Sequence, residues 1–354
     1  GKDVPVATFE VVSAAEEVDD LNTPFVGRVD ELARLVEVFE EAVEQRVARV
    51  ATVIGSPGVG KTRLSRELRQ RVGERADVVE IRCRQSGTAT FAPIAELLRT
   101  ATGITDDDEP EAVLAELRSL VAELDDADRV AGLLASFVGA APTRSTEEAF
   151  FAVRRLIEAV ARERGLVLIV DDIQWAEPLF LDLLEHLADW VGDAPTMILA
   201  LARPEIREIR PGLGAEGRLV RAAISLEGLD AASTAEFAAK LVGADSLPSE
   251  LVERLPTSTE GNPLFVRELM RMLVDDGVIV HDDHGWQLTI EADAVEVPPT
   301  IQSLLSARLD RMAPEERHVI ELASVVGSEF PLGAILEISG DSISEPMELR
   351  RVLN

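Results

Sequence analysis

The chain has 354 residues, 46% of them hydrophobic, which is room for two or three domains and a substantial core. Its net charge of −30 argues against a large nucleic-acid surface or an anionic-membrane surface, and reads mainly as solvated helix faces. A single cysteine, Cys83, excludes an internal disulfide framework and fits a reducing, cytoplasmic setting; no apolar run reaches membrane-spanning length and no signal peptide is read.

In chain order, Val4 to Val12 reads as one strand, followed by an acidic, Ala-rich linker to residue 24. Phe25-Val26-Gly27-Arg28 leads into a helix with Asp30 and Glu31 in its first turn. Its predicted apolar stripe is Val29, Leu32, Leu35, Val36, Phe39 and Val43. Val50 to Ile54 is a short apolar strand, then Gly55-Ser56-Pro57-Gly58-Val59-Gly60-Lys61-Thr62, then a helix from Arg63 to Val72 with Leu64 and Leu68 on one face. Val78 to Cys83 is a second strand, with Cys83 a buried small hydrophobe at its end. Residues 92–160 read as mostly helical, broken by a loop from Thr105 to Pro110. Three more apolar strands follow, Leu166 to Val170, Met197 to Leu201 and Ala223 to Leu226. Apolar strands separated by helices indicate a parallel sheet covered on both faces, an α/β fold. From Asp230 onward the pattern changes to short helices. One hairpin, Val278 to Val280 with Trp286 to Leu288, gives the end of the chain a winged-helix-like look. No internal repeat is found.

Residues 55–62 fit G-x-x-x-x-G-K-[ST], the phosphate-binding P-loop, in its strand–loop–helix context. Backbone N–H groups of residues 56–60 and the helix start would face phosphate oxygens. Lys61 would reach the β- and γ-phosphates, and the Thr62 hydroxyl would ligate Mg²⁺. Lysine stands elsewhere only at Lys2 and Lys240, so a flexible point charge is kept where phosphate needs one. The Ala-, Val- and Arg-rich usage points to a GC-rich bacterial genome.

Leu168-Ile169-Val170-Asp171-Asp172 is a Walker B pattern, an apolar strand delivering two acids at its C-terminal edge. Asp171 would hold Mg²⁺ and Asp172 would polarise the attacking water. Arg203, after the next strand, would touch the γ-phosphate and report nucleotide state. His186 reads as a helix-face residue rather than a base.

These residues carry a family resemblance. Phe25 to Leu32, the P-loop, Asp171-Asp172-Ile173-Gln174-Trp175-Ala176-Glu177-Pro178 and Gly261-Asn262-Pro263-Leu264-Phe265-Val266 resemble the STAND class of AAA-related P-loop ATPases. Val297 to Leu309 resembles the start of their winged helix. The resemblance implies domains at residues 25–228 (ATPase), 229–296 (helical) and 297–354 (winged-helix-like, stopping inside a longer protein). It places Val26, Gly27 and Arg28 near adenine and ribose, Ser56 to Arg63 on the phosphates, and Pro263 against the base. Glu177 departs from the aspartate usual there. Residues 1–12 resemble the last strand of class III nucleotide cyclase domains, with residues 13–24 as linker; the metal-binding aspartates of a cyclase are not in this chain.

The leading expectation is an ATP-binding, slowly hydrolysing switch with ATP or ADP and Mg²⁺. It would couple nucleotide state to domain rearrangement and self-association, and regulate an attached effector such as a cyclase under a C-terminal sensor domain. Two alternatives stand beside it: an ADP-retaining scaffold without significant turnover, and the ATPase module of a helix-turn-helix transcription regulator. Against the last, Ile338 to Glu348 carries Asp341, Glu345 and Glu348 and no basic residue, so no nucleic-acid partner is expected. No membrane partner is expected either.

Overall fold

The computed structural model describes residues 23–84, 90–105, 107–142, 145–282 and 285–289, then 300, 302, 303, 306, 309, 312 and 314–326. The strand read at Val4 to Val12, the linker up to residue 22 and most of the winged-helix-like segment lie outside the described residues.

The elements run α1 (Val29–Gln45), β1 (Ala48–Gly55), α2 (Lys61–Val72), β2 (Asp77–Arg82), α3 (Ala92–Thr102), α4 (Pro110–Leu120), α5 (Ala127–Leu134), α6 (Thr146–Arg164), β3 (Leu166–Asp171) and α7 (Pro178–Trp190). They continue with β4 (Thr196–Ala202), two single turns α8 (Ile206–Ile209) and α9 (Pro211–Gly214), β5 (Val220–Leu226), α10 (Ala231–Leu241), α11 (Ser249–Thr259), α12 (Pro263–Asp275), β6 (Ile279–Asp282), β7 (Gly285–Leu288) and α13 (Pro314–Val326).

The first five strands form one parallel sheet in the order β2-β3-β4-β1-β5. β4 therefore lies between the P-loop strand and the strand that ends in Asp171. β3 and β4 are buried at every position, which is why they read as unbroken apolar runs. One face carries α1 and α2 over Val53, Ile169 and Leu201, with Leu35, Phe39, Leu64 and Leu68 in that core. The other carries α3 to α7 over Ile54, Val170 and Ile198. Among the described residues no helix is long and apolar enough to cross a membrane.

Three sequence expectations shift. In α1 the buried face is Leu32, Leu35, Val38, Phe39 and Ala42, while Val29 is 71% exposed and Val43 36%. The helix is rotated from the expected stripe: Val29 and Val43 lie off the Leu32, Leu35, Phe39, Ala42 line that faces the sheet. β5 begins three residues before the expected start. As an edge strand it alternates buried and exposed positions, and Arg221 there pairs with Glu41 at 2.8 Å across solvent. Pro110 opens α4 rather than closing the loop, because a first-turn proline lacks only an amide that the helix does not use.

A separate cluster holds the C-terminal helices together. Phe237 of α10, Leu255 of α11 and Phe265, Leu269 and Leu273 of α12 pack with Ile279 of β6. The expected hairpin is present as antiparallel β6–β7, with Ile279 opposite Leu288 and Asp282 opposite Gly285. Trp286 and Leu288 lean on the same helical cluster.

Candidate nucleotide site

β1 ends at Gly55, and the chain turns through residues 56–60 into α2. Gly60 precedes the helix with φ 104°, and no side chain caps the first amides of α2. The space where a Cβ on Gly60 would stand is open to 4 Å. Lys61 donates to the carbonyl oxygens of Gly55 (2.9 Å) and Ser56 (3.1 Å). Burial lowers the Lys61 pKa from its ordinary value, Asp171 and Asp172 oppose that, and Arg203 adds to it. The two acids and the arginine at the ends of β3 and β4 thus act on the P-loop lysine.

A cleft of about 200 Å³ opens beside this loop. Of the residues read as nucleotide-binding, Val26, Arg28, Gly58, Val59, Gly60, Lys61, Thr62, Arg63 and Pro263 line it. Gly27 faces away, its Cα side against Ser233 of α10. Ser56 and Pro57 present their carbonyls to Lys61 and Asn262 rather than lining the cleft. Phe25, Leu229 and Phe237 supply apolar wall that the sequence did not single out.

Arg28 sits in a left-handed backbone conformation (φ 63°) that aims its guanidinium at Glu31 (3.1 Å) and at the Glu227 carbonyl. Arg63 ties the segment before α1 to α2. It donates to the Thr23 carbonyl (3.1 Å), pairs with Glu67 (2.6 Å) and lies 5.3 Å from the Phe25 ring centre. Its Nη1 is buried without a hydrogen-bond partner among the described residues.

The P-loop touches the helical unit directly. The Leu264 amide donates to the Gly58 carbonyl (3.2 Å), and the Asn262 side-chain amide donates to the Pro57 carbonyl (3.0 Å). The other end of the Asn262 amide accepts from the Leu264 (3.0 Å) and Phe265 (3.4 Å) amides, capping α12. Gly58 has φ 78°, and a Cβ there would meet the Leu264 Cβ at 2.6 Å. Only glycine admits this approach. Asn262 before a first-turn proline is a cap signal legible in sequence; its bond to Pro57 is not.

At the far side of β4 the acids are tightly held. Asp171 is 7% exposed; burial first, then the Asp172 charge, raises its pKa. Its Oδ1 accepts from the Asp172 amide at 2.8 Å. Asp172 is left-handed (φ 55°), a conformation costing a non-glycine residue about 1 kcal/mol. Its Oδ2 faces Arg82 at 3.2 Å and its Oδ1 accepts from Gln174 at 2.7 Å. The Arg203 guanidinium stacks over Trp175, 5.5 Å from the ring centre. Asp171, Asp172 and Arg203 do not line the cleft itself. Glu177 precedes α7 without capping it. His186 packs between Phe150 and Trp190 on α7, and burial lowers its pKa. Cys83 is buried just past β2, where burial pushes its thiol up to about 12 and leaves it unreactive.

These features fit a nucleotide with a hard divalent ion. The uncapped start of α2 and the open space over Gly60 suit phosphate. The orphaned Arg63 Nη1 and apolar wall suit the rest of a nucleoside phosphate, and Thr62 and Asp171 offer the oxygen donors that Mg²⁺ takes.

Residues 24–199 match the AAA ATPase domain family, and with the P-loop strand–loop–helix geometry they form an AAA-type P-loop ATPase module. Residues 231–284 match a domain family of unknown function. An uncharacterized protein of Rhizobium meliloti (strain 1021) is 25% identical over 337 residues, covering 87% of this chain and 30% of that protein. A solved STAND protein with a tetratricopeptide repeat sensor from Pyrococcus horikoshii aligns over 95% of this chain and 41% of its own, at 17% identity and a TM-score of 0.49. The Aeropyrum pernix Orc1 protein, solved in complex with DNA, aligns over 93% of this chain and 82% of its own, at 16% identity and a TM-score of 0.46. The chain spans less than half the length of the first two.

Proposed function

We propose that this chain is the nucleotide switch of a STAND-type regulator, binding ATP or ADP with Mg²⁺ between an ATPase domain (residues 25–228) and a helical domain (residues 229–296). The observation that carries it is the direct bonding of the P-loop to the start of α12, Leu264 to Gly58 and Asn262 to Pro57. A ligand held by that loop is then felt by α12, because the loop cannot rearrange without changing those two bonds.

In this reading Lys61 exchanges its bonds to the Gly55 and Ser56 carbonyls for phosphate oxygens. Thr62 and Asp171 hold Mg²⁺, which supplies positive charge to the phosphates. Asp172 orients the attacking water, and Arg203 senses the terminal phosphate from the end of β4. Val26, Arg28 and Pro263 contact base and ribose. Turnover is slow, since binding energy goes into moving domains. The attached effector is a nucleotide cyclase at the N-terminal side, the sensor lies C-terminal, and the ATP-bound form self-associates. Nucleic acid and membrane are not partners, in keeping with the charge of −30.

A second reading, an ADP-retaining scaffold, is favoured by the hold on Asp172, whose two oxygens are already engaged by Arg82 and Gln174. Mass spectrometry of the nucleotide that co-purifies, followed by single-turnover cleavage of added ATP, separates them. The switch requires one slow cleavage per chain. Retained ADP with no cleavage leaves the scaffold, and rapid multiple turnover contradicts both.

A further inference from the structure

The short turn after Asp172 makes one connection that the proposed chemistry has not used. Gln174 is 8% exposed, pointing inward from the single turn Ile173–Trp175. Its amide spans two strand ends. The nitrogen donates to Asp172 Oδ1 at 2.7 Å, beyond β3, and the oxygen accepts the Arg203 backbone N–H at 2.9 Å, beyond β4. The orientation of the amide is forced at both ends, since a carboxylate oxygen accepts and a peptide N–H donates. The next residue, Trp175, lies under the Arg203 guanidinium. On the opposite side, Arg82 approaches Asp172 Oδ2 through Nε (3.4 Å) and Nη2 (3.2 Å).

We propose that Gln174 is a positioning residue for ATP cleavage: one buried amide fixes the Asp172 carboxylate relative to the backbone that carries Arg203. The left-handed turn at Asp172 makes this geometry necessary. The acid stands on a left-handed residue just past β3, and its carboxylate is free to rotate about χ1 and χ2 unless both oxygens are held. Arg82 is half exposed and a weak tether, whereas the Gln174 amide is buried and bonded at both ends. With Trp175 stacked beneath Arg203, residues 172–175 and 203 move as one unit, so a displacement of Arg203 is transmitted to the acid.

The inference rests on the hydrolytic reading above, and its test separates the two. In the 354-residue chain, Gln174→Met removes both bonds at similar volume, and Gln174→Glu keeps the acceptor for Arg203 but sets a negative charge against Asp172. Both variants are expected to keep the ADP dissociation constant and KM for ATP within about threefold while kcat falls about tenfold or more. A purely structural amide would lower the melting temperature and affinity together and leave no selective loss in kcat. Turnover in the unmodified chain with unchanged kcat in both variants overturns this inference alone. No turnover in the unmodified chain overturns the hydrolytic reading and this inference with it.

Discussion

Gly261→Ala is expected to destabilise the protein by about 3 kcal/mol and to loosen the segment after β5 from the start of α12. Two stretches of backbone cross here without side chains between them. A Cβ on Gly261 would stand 2.1 Å from the Leu229 carbonyl oxygen and 2.7 Å from its nitrogen, and Gly261 has φ 65°. The Leu229 amide donates to the Gly261 carbonyl at 2.8 Å, so the crossing is hydrogen-bonded as well as tight. Gly228 mirrors the contact from the segment after β5, its Cβ position 1.9 Å from the Glu260 carbonyl oxygen. A side-chain neighbour could rotate away; a backbone carbonyl cannot. The crossing lies just before Asn262 and Pro263, so separation there withdraws the cap of α12 from the P-loop. Gly277→Ala is the control, since Gly277 has the same φ of 65° but nothing within 4 Å, and it carries only the conformational strain of about 1 kcal/mol. Thermal unfolding followed by calorimetry should show a markedly lower midpoint for Gly261→Ala than for Gly277→Ala. Equal midpoints would mean that the crossing does not hold the segment after β5 against the start of α12.

Lys61→Ala should weaken ADP and ATP binding about a hundredfold, the effect of losing roughly 3 kcal/mol of charged hydrogen bonding to phosphate. The fold should survive. Lys61 stands at the first residue of α2, where alanine is a good helix former, and of the two carbonyls that each lose one donor, Gly55 lies at the buried end of β1 and Ser56 is exposed. Lys240→Ala serves as the comparison, because Lys240 pairs with Glu236 on the exposed face of α10 at 2.7 Å, does not line the cleft, and should not alter affinity. Titration calorimetry reads both. Unchanged affinity in the Lys61 variant would remove the P-loop as the nucleotide site.

The sheet was legible because three of its strands, β1, β3 and β4, are short apolar runs almost wholly buried, so hydrophobicity alone marks them. The edge was less so: Arg221 interrupts the β5 run because that position faces solvent and pairs with Glu41. The P-loop was visible as a local pattern, whereas its cleft neighbours Val26, Arg28 and Pro263 were reached only through the family resemblance. What ties them together was not. Asn262 meets Pro57 across 205 positions, and Gln174 reaches Arg203 across 29. Neither pairing leaves a periodicity or spacing in one sequence, because each depends on how two separate turns are brought to one edge of the sheet. Phe25 and Phe237 were hidden for the same reason, since an aromatic in a cleft wall and one in a core look alike in sequence.

The central claim is that one nucleotide joins the P-loop to the start of α12. Hydrogen exchange of the 354-residue chain with ADP, and with a non-hydrolysable ATP analogue, tests it most directly at the Leu264 amide, which bonds the Gly58 carbonyl at 3.2 Å. ADP should slow exchange over residues 57–63 and 262–266 together, and the ATP analogue should protect the first segment while releasing the second. Protection of residues 57–63 with no change at 262–266 under either nucleotide would contradict the claim.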